Sequence, residues 1–565
     1  MPFTPAKMIS NNQICALTKR SFVIPNEDLT FFEKISPEFA GIKCPIPSPS
    51  LCPEARLQRR MAFRNERNLY RRKSELSGKD LLSVFAPDSP YKVLTFEEWW
   101  SDGWDPMAYG RDFDPRRRFF DQLRELCLDV PHLPLNRRDA ENSEYTNFAL
   151  NMKDCYLVFG ASHCESSLHS RLIHKTKDVL DCMTLVNSEL CYEGIASENC
   201  YNCLFFRNCK NCHDSLFLEE CHSCNNCILC VGLHQQSYCI LNEYVGKERF
   251  EQFRQGLYPL TWKRIAELKE KLSTLSLSTP HRQSHIYNSE NCSGDMIVDS
   301  KNCNHCFDTI NCEDCKYLYW TPKSRDSFDC CFNSPDGVEL CYEVCSCLGS
   351  RCMGLFLAWN NDQSYYSMEC HNNKNIFGCV GLKSKRYCIL NKQYSKDDYE
   401  QLALQIAQQM TASGDWGEYL SPELSYFGYN ETIANEIFPR DRASATSEGW
   451  NWRDEQSAPQ ATVGPRIPDT IDETTDAITA QVLVCEHSGE RYKISPLELS
   501  FYRKAGIPVP KFAPNTRYRN RLKARNEPRL WKRTCAKSGV EILTTYPPDS
   551  PETVYENSVY TKEFF

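Results

Sequence analysis

Apolar and polar positions follow a short period through the middle of the chain. From Lys153 to Asn242 the sequence can be written in blocks of nine with the consensus x-Asn/Asp-Cys-x-x-Cys-x-x-x, and every gap between its thirteen cysteines is a multiple of three. A repeat this short is typical of a solenoid, in which each unit buries its inner face against its neighbours. Nine residues would enclose a perimeter of only about 30 Å, so we expect about 18 residues in each closed coil.

Strand geometry predicts where this chain must bend. Cysteines at positions three and six of a block cannot both face inward on a straight strand, because strand side chains alternate. Asn or Asp precedes many of them, as in Asn199-Cys200 and Asn202-Cys203, and these short side chains favour bends by hydrogen-bonding local backbone. We therefore expect bends at the Asn and Asp positions and a ladder of inward cysteines, which behave as small hydrophobes.

A second array covers about residues 288–391, with two-residue slips in the frame. Its ending, Phe377–Asn391, resembles the ending of the first array, Leu229–Asn242. Helical spacing of apolar residues follows each ending, at Glu248–Leu272 and at Lys396–Met410. We expect these helices to cap open strand edges.

The regions that flank the arrays repeat each other. Arg56–Val93 matches Arg517–Val554 at a constant offset of 461. Each region has two turn sequences similar to zinc knuckles, and these begin at Cys15, Ser74, Cys485 and Cys535. The second thiol position holds Ser or Thr in all four, which excludes a four-thiolate zinc site as written. We predict ribbons that fold without metal, with hydroxyl groups replacing some knuckle hydrogen bonds.

These patterns predict a mainly β fold with some α. Two Cys-rich nine-residue-repeat β-solenoid arrays are flanked by two zinc-ribbon-like modules that have lost most metal ligands, and helices cap the arrays. The predicted parts are a ribbon-like module with a basic helix (1–115), a linker and helix (116–141), the first array with its C-terminal helix (142–275), the second array with its C-terminal helix (286–412), a linker (413–481) and the second ribbon-like module (482–565).

Charge adds a candidate function. The net charge is −8, yet Arg56–Lys73 and Arg517–Arg533 each hold eight basic residues and one acid. Spacing by four residues predicts one helical face for Arg56, Arg60 and Arg64 and one for Arg517, Arg521 and Arg525. Arginines that bind phosphates, beside aromatic rings that stack on unpaired bases, are typical of nucleic-acid surfaces. We predict a non-enzymatic protein that binds RNA or the ribosome. The predicted contact residues are Arg56, Arg59, Arg60, Arg64, Arg67, Tyr70, Arg71, Arg72, Arg517, Arg519, Arg521, Arg525, Arg529, Trp531, Lys532 and Arg533.

Two other functions fit the same sequence. A structural scaffold that assembles into a dimer or filament suits the order module, array, array, module. A metal or redox protein would use zinc or an iron–sulfur cluster, although the ladder interpretation needs neither. Its candidate ligands are Cys15, Cys44 and Cys52 in the first module and Cys221, Cys224, Cys227 and Cys230 in the first array. The second group differs from a ferredoxin run in its last spacing, which is two rather than three.

Composition and missing motifs narrow the expected compartment and the class of protein. The 565 residues include 33 cysteines, and no apolar run approaches the ~20 residues of a membrane helix. The N-terminal residues lack the apolar segment of a secretory signal, so we expect a cytoplasmic protein with reduced thiols and no membrane partner. The sequence has no phosphate-binding glycine loop, nucleophile elbow or HExxH motif, and it indicates no catalytic residues and no small-molecule substrate.

The chain also resembles a group of uncharacterised bacterial Cys-rich proteins from metagenome-derived genomes. The resemblance covers nearly the whole chain and rests on Met61–Lys73 (MAFRNERNLYRRK), Trp99–Asp114 (WWSDGWDPMAYGRDFD) and the array Cys200–Asn242 that ends in YCILN. Members of the group usually carry complete Cys-x2-Cys pairs in their ribbons, which this sequence has lost at most positions. The resemblance implies an architecture of ribbons around Cys arrays and implies no activity.

Overall fold

The computed structural model describes residues 12–454 and 464–564. The protein is mixed α/β with mostly strands, and it contains two large parallel sheets. The chain divides into two compact units, which comprise Met1–Leu135 with His285–Asp454 and Asn136–Ser284 with Glu455–Phe565. The first unit thus joins the N-terminal region to the second array, and the second unit joins the first array to the C-terminal region.

The N-terminal region consists of short hairpins and helices. In chain order its elements are β1 (Asn12–Ile14), β2 (Ser21–Val23), α1 (Asn26–Ile35), β3 (Glu38–Phe39), β4 (Ile42–Lys43), α2 (Pro53–Met61), β5 (Tyr70–Lys73), β6 (Asp80–Ser83), α3 (Phe96–Trp100) and α4 (Phe119–Asp129). Each strand pairs antiparallel with its neighbour in sequence.

The first array forms an eleven-stranded sheet in sequence order. Its strands are β7 (Arg137–Glu141), β8 (Thr146–Lys153), β9 (Val158–Glu165), β10 (Arg171–Leu180), β11 (Met183–Val186), β12 (Glu189–Glu198), β13 (Leu204–Arg207), β14 (Leu216–Glu219), β15 (Asn225–Val231), β16 (Ser237–Ile240) and β17 (Glu243–Tyr244). All pairs are parallel except β16 with β17. This final antiparallel strand blunts the edge that a parallel sheet would otherwise present.

The strands repeat every twelve residues. Leu204 of β13 pairs with Leu216, which pairs with Ile228 and then Ile240. The expected coil of about 18 residues is therefore wrong for these strands. The nine-residue spacing has a different origin, because the Cys212 thiol donates a hydrogen bond to the carbonyl of Cys221, nine residues ahead, at 3.2 Å.

Bends recur at every third residue. Positive φ angles occur at Asn199, Asn202, Phe205, Asn208 and Asn211, and the series continues in steps of three to Leu229. The expectation of bends at the Asn and Asp positions is confirmed, since these residues tolerate left-handed backbone better than others. Neighbouring bends also pair, and the Asn199 amide donates to the Asn211 side chain at 3.0 Å.

In the series from Asn199 to Leu229 the residue after each bend is buried, and eight of these buried residues are cysteines. The cysteines of the first array pack with Val158, Ile173, Leu185 and Leu218 in one core cluster. A second cluster joins Leu204, Leu216 and Ile228 of the sheet to apolar residues of the following helices and of the C-terminal region. Thiols thus fill one face of the sheet, while aliphatic side chains hold the covering elements on another.

Two helices, rather than the single predicted one, follow the first array. They are α5 (Lys247–Gln255) and α6 (Trp262–Ser278), and β18 (His281–Arg282) comes next. The break lies at Gly256 and Pro259, because proline cannot donate to the helical hydrogen-bond ladder.

The second array forms a similar sheet. Its strands are β19 (Ile286–Tyr287), β20 (Ser293–Val298), β21 (Asn304–Ile310), β22 (Tyr319–Pro322), β23 (Phe328–Cys331), β24 (Val338–Glu339), β25 (Tyr342–Cys345), β26 (Leu348–Ser350), β27 (Met353–Phe356), β28 (Trp359–Tyr365), β29 (Lys374–Phe377), β30 (Arg386–Ile389) and β31 (Lys392–Gln393). Phe328 pairs with Tyr342 at a spacing of fourteen, the predicted two-residue slip. Tyr342 pairs with Met353 at a spacing of eleven.

The rest of the chain covers the sheets. It contains α7 (Lys396–Ser413), α8 (Ile433–Ile437), α9 (Arg442–Ser447), β32 (Leu483–Val484), β33 (Arg491–Tyr492), α10 (Pro496–Ala505), α11 (Pro514–Lys523), β34 (Trp531–Thr534), β35 (Glu541–Thr544), β36 (Val554–Tyr555) and α12 (Asn557–Phe564). Helix α7 begins at Lys396 as predicted, and its cap is the Ser395 hydroxyl, which accepts from the Asp398 amide. Among the described residues, no helix has both the length and the apolar character needed to span a bilayer.

Candidate functional site: the two arginine helices

The two arginine-rich segments each begin as a helix with proline in its first turn, α2 and α11. Proline is favoured there because its missing amide proton would lack a helical partner anyway. Arg64 and Arg525 lie beyond the ends of these helices, so the predicted continuous face of three arginines is limited to Arg56 and Arg60 in α2 and to Arg517 and Arg521 in α11.

In the first unit, helix α2 is fastened to the second array by buried ion pairs. Arg56 lies 2.9 Å from Asp329, and Arg60 lies 3.1 Å from the same carboxylate. Glu343 pairs with Arg60 at 2.8 Å and with Arg59 at 2.9 Å. Neither carboxylate side chain is exposed to solvent. The charges compensate each other away from water, which is the condition under which buried ions are tolerated.

Arg59 and Arg64 extend this network. Arg59 also pairs with Glu418 at 2.7 Å. Arg64 pairs with Glu66 at 2.5 Å, donates to the Ser346 hydroxyl, and lies over the Phe332 ring at 4.4 Å from its centroid.

The second unit contains the matching arrangement. Asp181 takes Arg521 at 2.6 Å and Arg517 at 2.7 Å. Arg517 also lies 3.1 Å from Glu498, which contacts His169 at 3.2 Å. Burial acts to raise the pKa of Glu498, but His169, Arg517 and a hydrogen bond from Tyr502 hold that pKa at about 2.

The central aspartates occupy equivalent places in the arrays. Asp181 and Asp329 both stand at bend positions, with φ of 56° and 54°. Each accepts two arginines separated by one helical turn, which places both guanidinium groups on the same side of the helix. The repeated helix is therefore matched by a repeated acidic bend.

The residues in these networks do not form the predicted phosphate-binding surface. Their guanidinium groups are buried against carboxylate, carbonyl or hydroxyl groups of the chain, so they are not accessible to a phosphate. Arg72, for example, donates to the carbonyls of Ala86 and Tyr91. The buried members of the predicted set are Arg56, Arg59, Arg60, Arg64, Arg72, Arg517 and Arg521.

The other predicted contact residues lie nearer the surface. Arg71, Arg519 and Lys532 are exposed, and Arg67, Tyr70, Arg525, Arg529, Trp531 and Arg533 are half-buried. Arg529 lies over the Trp531 ring at 3.8 Å from its centroid. Arg533 donates to the carbonyls of Pro547 and Glu552, which gives it a structural role in its hairpin.

The two helices differ in what covers them. At the offset of 461, exposed Arg519 and Lys523 correspond to Gln58 and Ala62, which are both buried. Gln58 donates to the Tyr429 hydroxyl at 2.9 Å, so part of the predicted linker (413–481) covers this face. The corresponding face of α11 is open to solvent.

Sequence reasoning missed Lys523 and the carboxylates that pair with the arginines. Lys523 lies one turn after Arg519, and this spacing could have identified it. Asp181, Asp329, Glu343 and Glu498 carry no local signal of their role. The twelve-residue repeat would have been needed to place three of them, Asp181, Asp329 and Glu343, at bends.

The structure separates the candidate metal ligands of the first module. Cys15 and Cys52 lie together, since the Cys52 amide donates to the Cys15 thiol at 3.3 Å. Cys44 donates to the Ile42 carbonyl at 3.7 Å and lies outside that cluster. Among the residues described, no three His, Cys, Asp or Glu side chains form a group that could hold a metal ion.

Ser or Thr occupies the second position of each predicted knuckle turn, as the sequence shows. All four turns join the strands of antiparallel hairpins. The Cys485 thiol contacts the Thr516 hydroxyl at 3.5 Å and accepts from the Ser488 amide at 3.5 Å. Burial acts to raise the pKa of Cys485, but these hydrogen bonds lower it to about 7.

The run Cys221, Cys224, Cys227 and Cys230 lies in the core of the first array. Each thiol donates to backbone carbonyls, and Cys221, for example, donates to Glu219 and Cys230 at 3.4 Å. Such bonds satisfy the weak S–H donor without any ligand. These four cysteines continue the twelve-residue repeat.

Comparison with known proteins gives no family. No family model matches the chain, and no curated protein matches it. One structural match is a crystal structure from Desulfovibrio desulfuricans G20 described as a "putative acetyltransferase", with 10 % identity and a TM-score of 0.09. The match covers 42 % of this chain and 63 % of that chain, less than two thirds of its length. A TM-score this low carries no argument about fold or activity.

Proposed function

We propose that this protein is a non-enzymatic RNA-binding protein whose contact surface is the exposed basic face of the C-terminal region. The surface comprises Arg519, Lys523, Arg529, Trp531 and Lys532, and we name it the α11 surface. The observation that carries the proposal is the contrast between the repeats, since basic residues remain exposed on α11 where their counterparts on α2 are neutral and buried.

The chemistry of the α11 surface suits a single strand. Exposed Lys and Arg bind phosphates regardless of sequence, and binding releases counterions. An aromatic ring beside them provides a stacking platform for an unpaired base. Trp531 carries Arg529 on its face, so a base would stack there beside, or in place of, the guanidinium group.

The proposed architecture is a pair of β-solenoids with zinc-ribbon-like hairpins, as in the Cys-rich bacterial group that the sequence resembles. Residues pair around a whole repeat at three-residue steps, as in Tyr201 with His213, Leu204 with Leu216, Arg207 with Glu219 and Lys210 with His222. This pattern supports a closed coil of twelve residues with four sides. In this proposal the solenoids are a rigid, metal-free scaffold for the binding surface.

Transplanting residues from the first repeat tests the proposal. The variant Arg519→Gln, Lys523→Ala, Arg529→Asn copies the residues found at the offset of 461. With about three phosphate contacts, the intact protein should bind single-stranded RNA with a log–log salt slope of about −2. We expect the triple variant to bind at least tenfold more weakly at 0.1 M salt, with a slope near zero, in a filter-binding or anisotropy titration.

A charge-matched variant separates the α11 surface from overall charge. Lys73→Gln, Lys79→Ala, Arg386→Asn removes three basic charges from exposed positions of the first unit and should leave binding within about twofold. Equal losses in both variants, or no RNA binding by the intact protein, would refute the proposal. Concentration-dependent assembly without RNA binding would favour the scaffold alternative instead.

A further inference from the structure

A row of charged side chains runs along one side of the second array. Each residue of the row belongs to a successive repeat and pairs in parallel register with the next. The row begins with an alternation of charge, Glu290, Lys301, Glu313, Arg325 and Glu339. It continues with Ser350, Asp362, Lys374 and Arg386. We name these nine residues the charge ladder, which is about 38 Å long because neighbouring strands lie about 4.8 Å apart.

The charges of the ladder are open to solvent. The exposed fractions of the Lys301, Arg325 and Lys374 side chains are 55 %, 61 % and 58 %. Arg325 lies 2.6 Å from Glu313 and Lys374 lies 2.9 Å from Asp362, so ion pairs form along the ladder. Exposed pairs of this kind contribute little to stability. The ladder therefore remains available to charges presented by another molecule.

The order of the charges makes the ladder complementary to a reversed copy of itself. In one antiparallel register the two-fold axis passes between Arg325 and Glu339, and no like charges face each other. The facing pairs, each of which occurs twice, are Glu290 with Lys374, Lys301 with Asp362, Arg325 with Glu339, and Glu313 with the Ser350 hydroxyl. Arg386 lies beyond the overlap. Opposite charges thus meet at three of the four unique pairs, and a hydroxyl donor meets a carboxylate at the fourth.

The corresponding row of the first array lacks this property. It starts with the same alternation, in Glu141, Lys153, Glu165, Lys177 and Glu189. It continues with Tyr201, His213, Asn225 and Ser237, which are uncharged at neutral pH. In the same antiparallel register only Lys177 and Glu189 would meet an opposite charge. The two rows therefore separate alternation of charge from self-complementarity.

We infer that the charge ladder is the contact surface of a two-fold homodimer in which the ladders of two copies run antiparallel. A two-fold interface uses the same patch on both subunits, so the patch must be complementary to itself. Complementary charges set the register and the association rate more than the affinity, so we expect a salt-sensitive dimer. The inference does not rest on RNA binding, because the α11 surface belongs to the other unit.

Sedimentation of the full chain at two salt concentrations gives the first test. We expect a dimer at about 0.05 M salt and a monomer at about 1 M, where the Debye length falls to about 3 Å. The triple α11 variant should dimerise as the wild type does. Loss of RNA binding and loss of the dimer are therefore separable.

A charge swap tests the register. The double variant Lys301→Glu, Arg325→Glu should be monomeric at low salt, because like charges then face each other at Asp362 and Glu339. The double variant Glu339→Lys, Asp362→Lys should be monomeric for the same reason. Each reversed residue of one variant faces a reversed residue of opposite charge in the other. An equimolar mixture should therefore regain the mass of the dimer, which also shows that both variants are folded.

The first array supplies the matched control. Lys153→Glu, Lys177→Glu makes the same charge changes on exposed positions of its row and should leave dimerisation unchanged. The inference is overturned if the wild type stays monomeric at low salt up to about 1 mM protein, which is the range of very weak association. It is also overturned if the mixture stays monomeric or if the control variant loses the dimer. In those cases the charges of the ladder pair only within the chain.

Discussion

Replacing Asp181 by Asn is expected to lower the free energy of unfolding of the second unit by about 3–5 kcal/mol. The carboxylate lies 2.6 and 2.7 Å from Arg521 and Arg517, and its side chain is fully buried. Without it, Arg517 still pairs with Glu498, while Arg521 loses the carboxylate and keeps its hydrogen bond to the His169 carbonyl. Asn keeps the size of the side chain and tolerates positive φ, so the backbone bend is preserved. Urea denaturation followed by far-UV circular dichroism measures the effect.

Asp178, one bend earlier in the chain, provides a matched control. It also stands at a bend, with φ of 50°, but it pairs with Lys504 at 3.2 Å on the surface. Asp178→Asn should lower the free energy of unfolding by less than about 1 kcal/mol, because exposed ion pairs contribute little to stability. The first unit repeats the test with Asp329→Asn against Asp326→Asn, whose partner Lys34 is exposed. Equal losses of unfolding free energy within either pair of variants would show that the arginine networks do not stabilise their units.

The second unit is also expected to lose stability between about pH 5 and pH 2. The pKa of Glu498 in the folded chain is about 2, below its ordinary value of 4.5. The unfolded chain therefore binds a proton more readily, so the stabilisation is present above pH 4.5 and is lost as the pH falls toward 2. A carboxylate whose pKa is lowered this far contributes on the order of 3 kcal/mol to the free energy of unfolding at neutral pH.

The variant Glu498→Gln isolates this contribution. It should be less stable than the wild type at pH 7, and the difference should shrink by most of its value at pH 2.5. Urea unfolding at pH 7, 5, 4 and 2.5 gives both curves. Glu486→Gln, an exposed change in the same region, should keep the wild-type pH dependence. A Glu498→Gln difference that is constant with pH would contradict the proposed network.

The sequence predicted the bends better than it predicted the repeat length. Asn and Asp before a cysteine report a local backbone preference, and those bends are found where expected. The coil length is not local, since every cysteine spacing in the first array is a multiple of three and fits nine, twelve or eighteen residues equally well. The nine-residue spacing, as between Cys212 and Cys221, matches a diagonal thiol-to-carbonyl bond, not the return of the chain to the same side.

The arginines show what helical spacing cannot predict. Helical spacing identified Arg56 and Arg60 as a pair on one face, and that pairing is found. Spacing does not reveal what faces the pair, because Asp329 lies more than 260 residues away in the sequence. The same spacing occurs at Arg517 and Arg521. In both helices the buried ion pairs indicate that these arginines stabilise the packing of the helix and do not bind phosphate.

The central claim is that the array cysteines are packed side chains of the parallel sheets and that folding of the chain needs neither metal nor disulfides. Thiol counting on protein purified without added metal tests it most directly, combined with elemental analysis of the same sample. Among all 33 cysteines only Cys292 is not fully buried, so the native protein should react rapidly at about one thiol and the denatured protein at all 33, with metal well below one equivalent. A stoichiometric metal, many fast native thiols, or a denatured count well below 33 would contradict it.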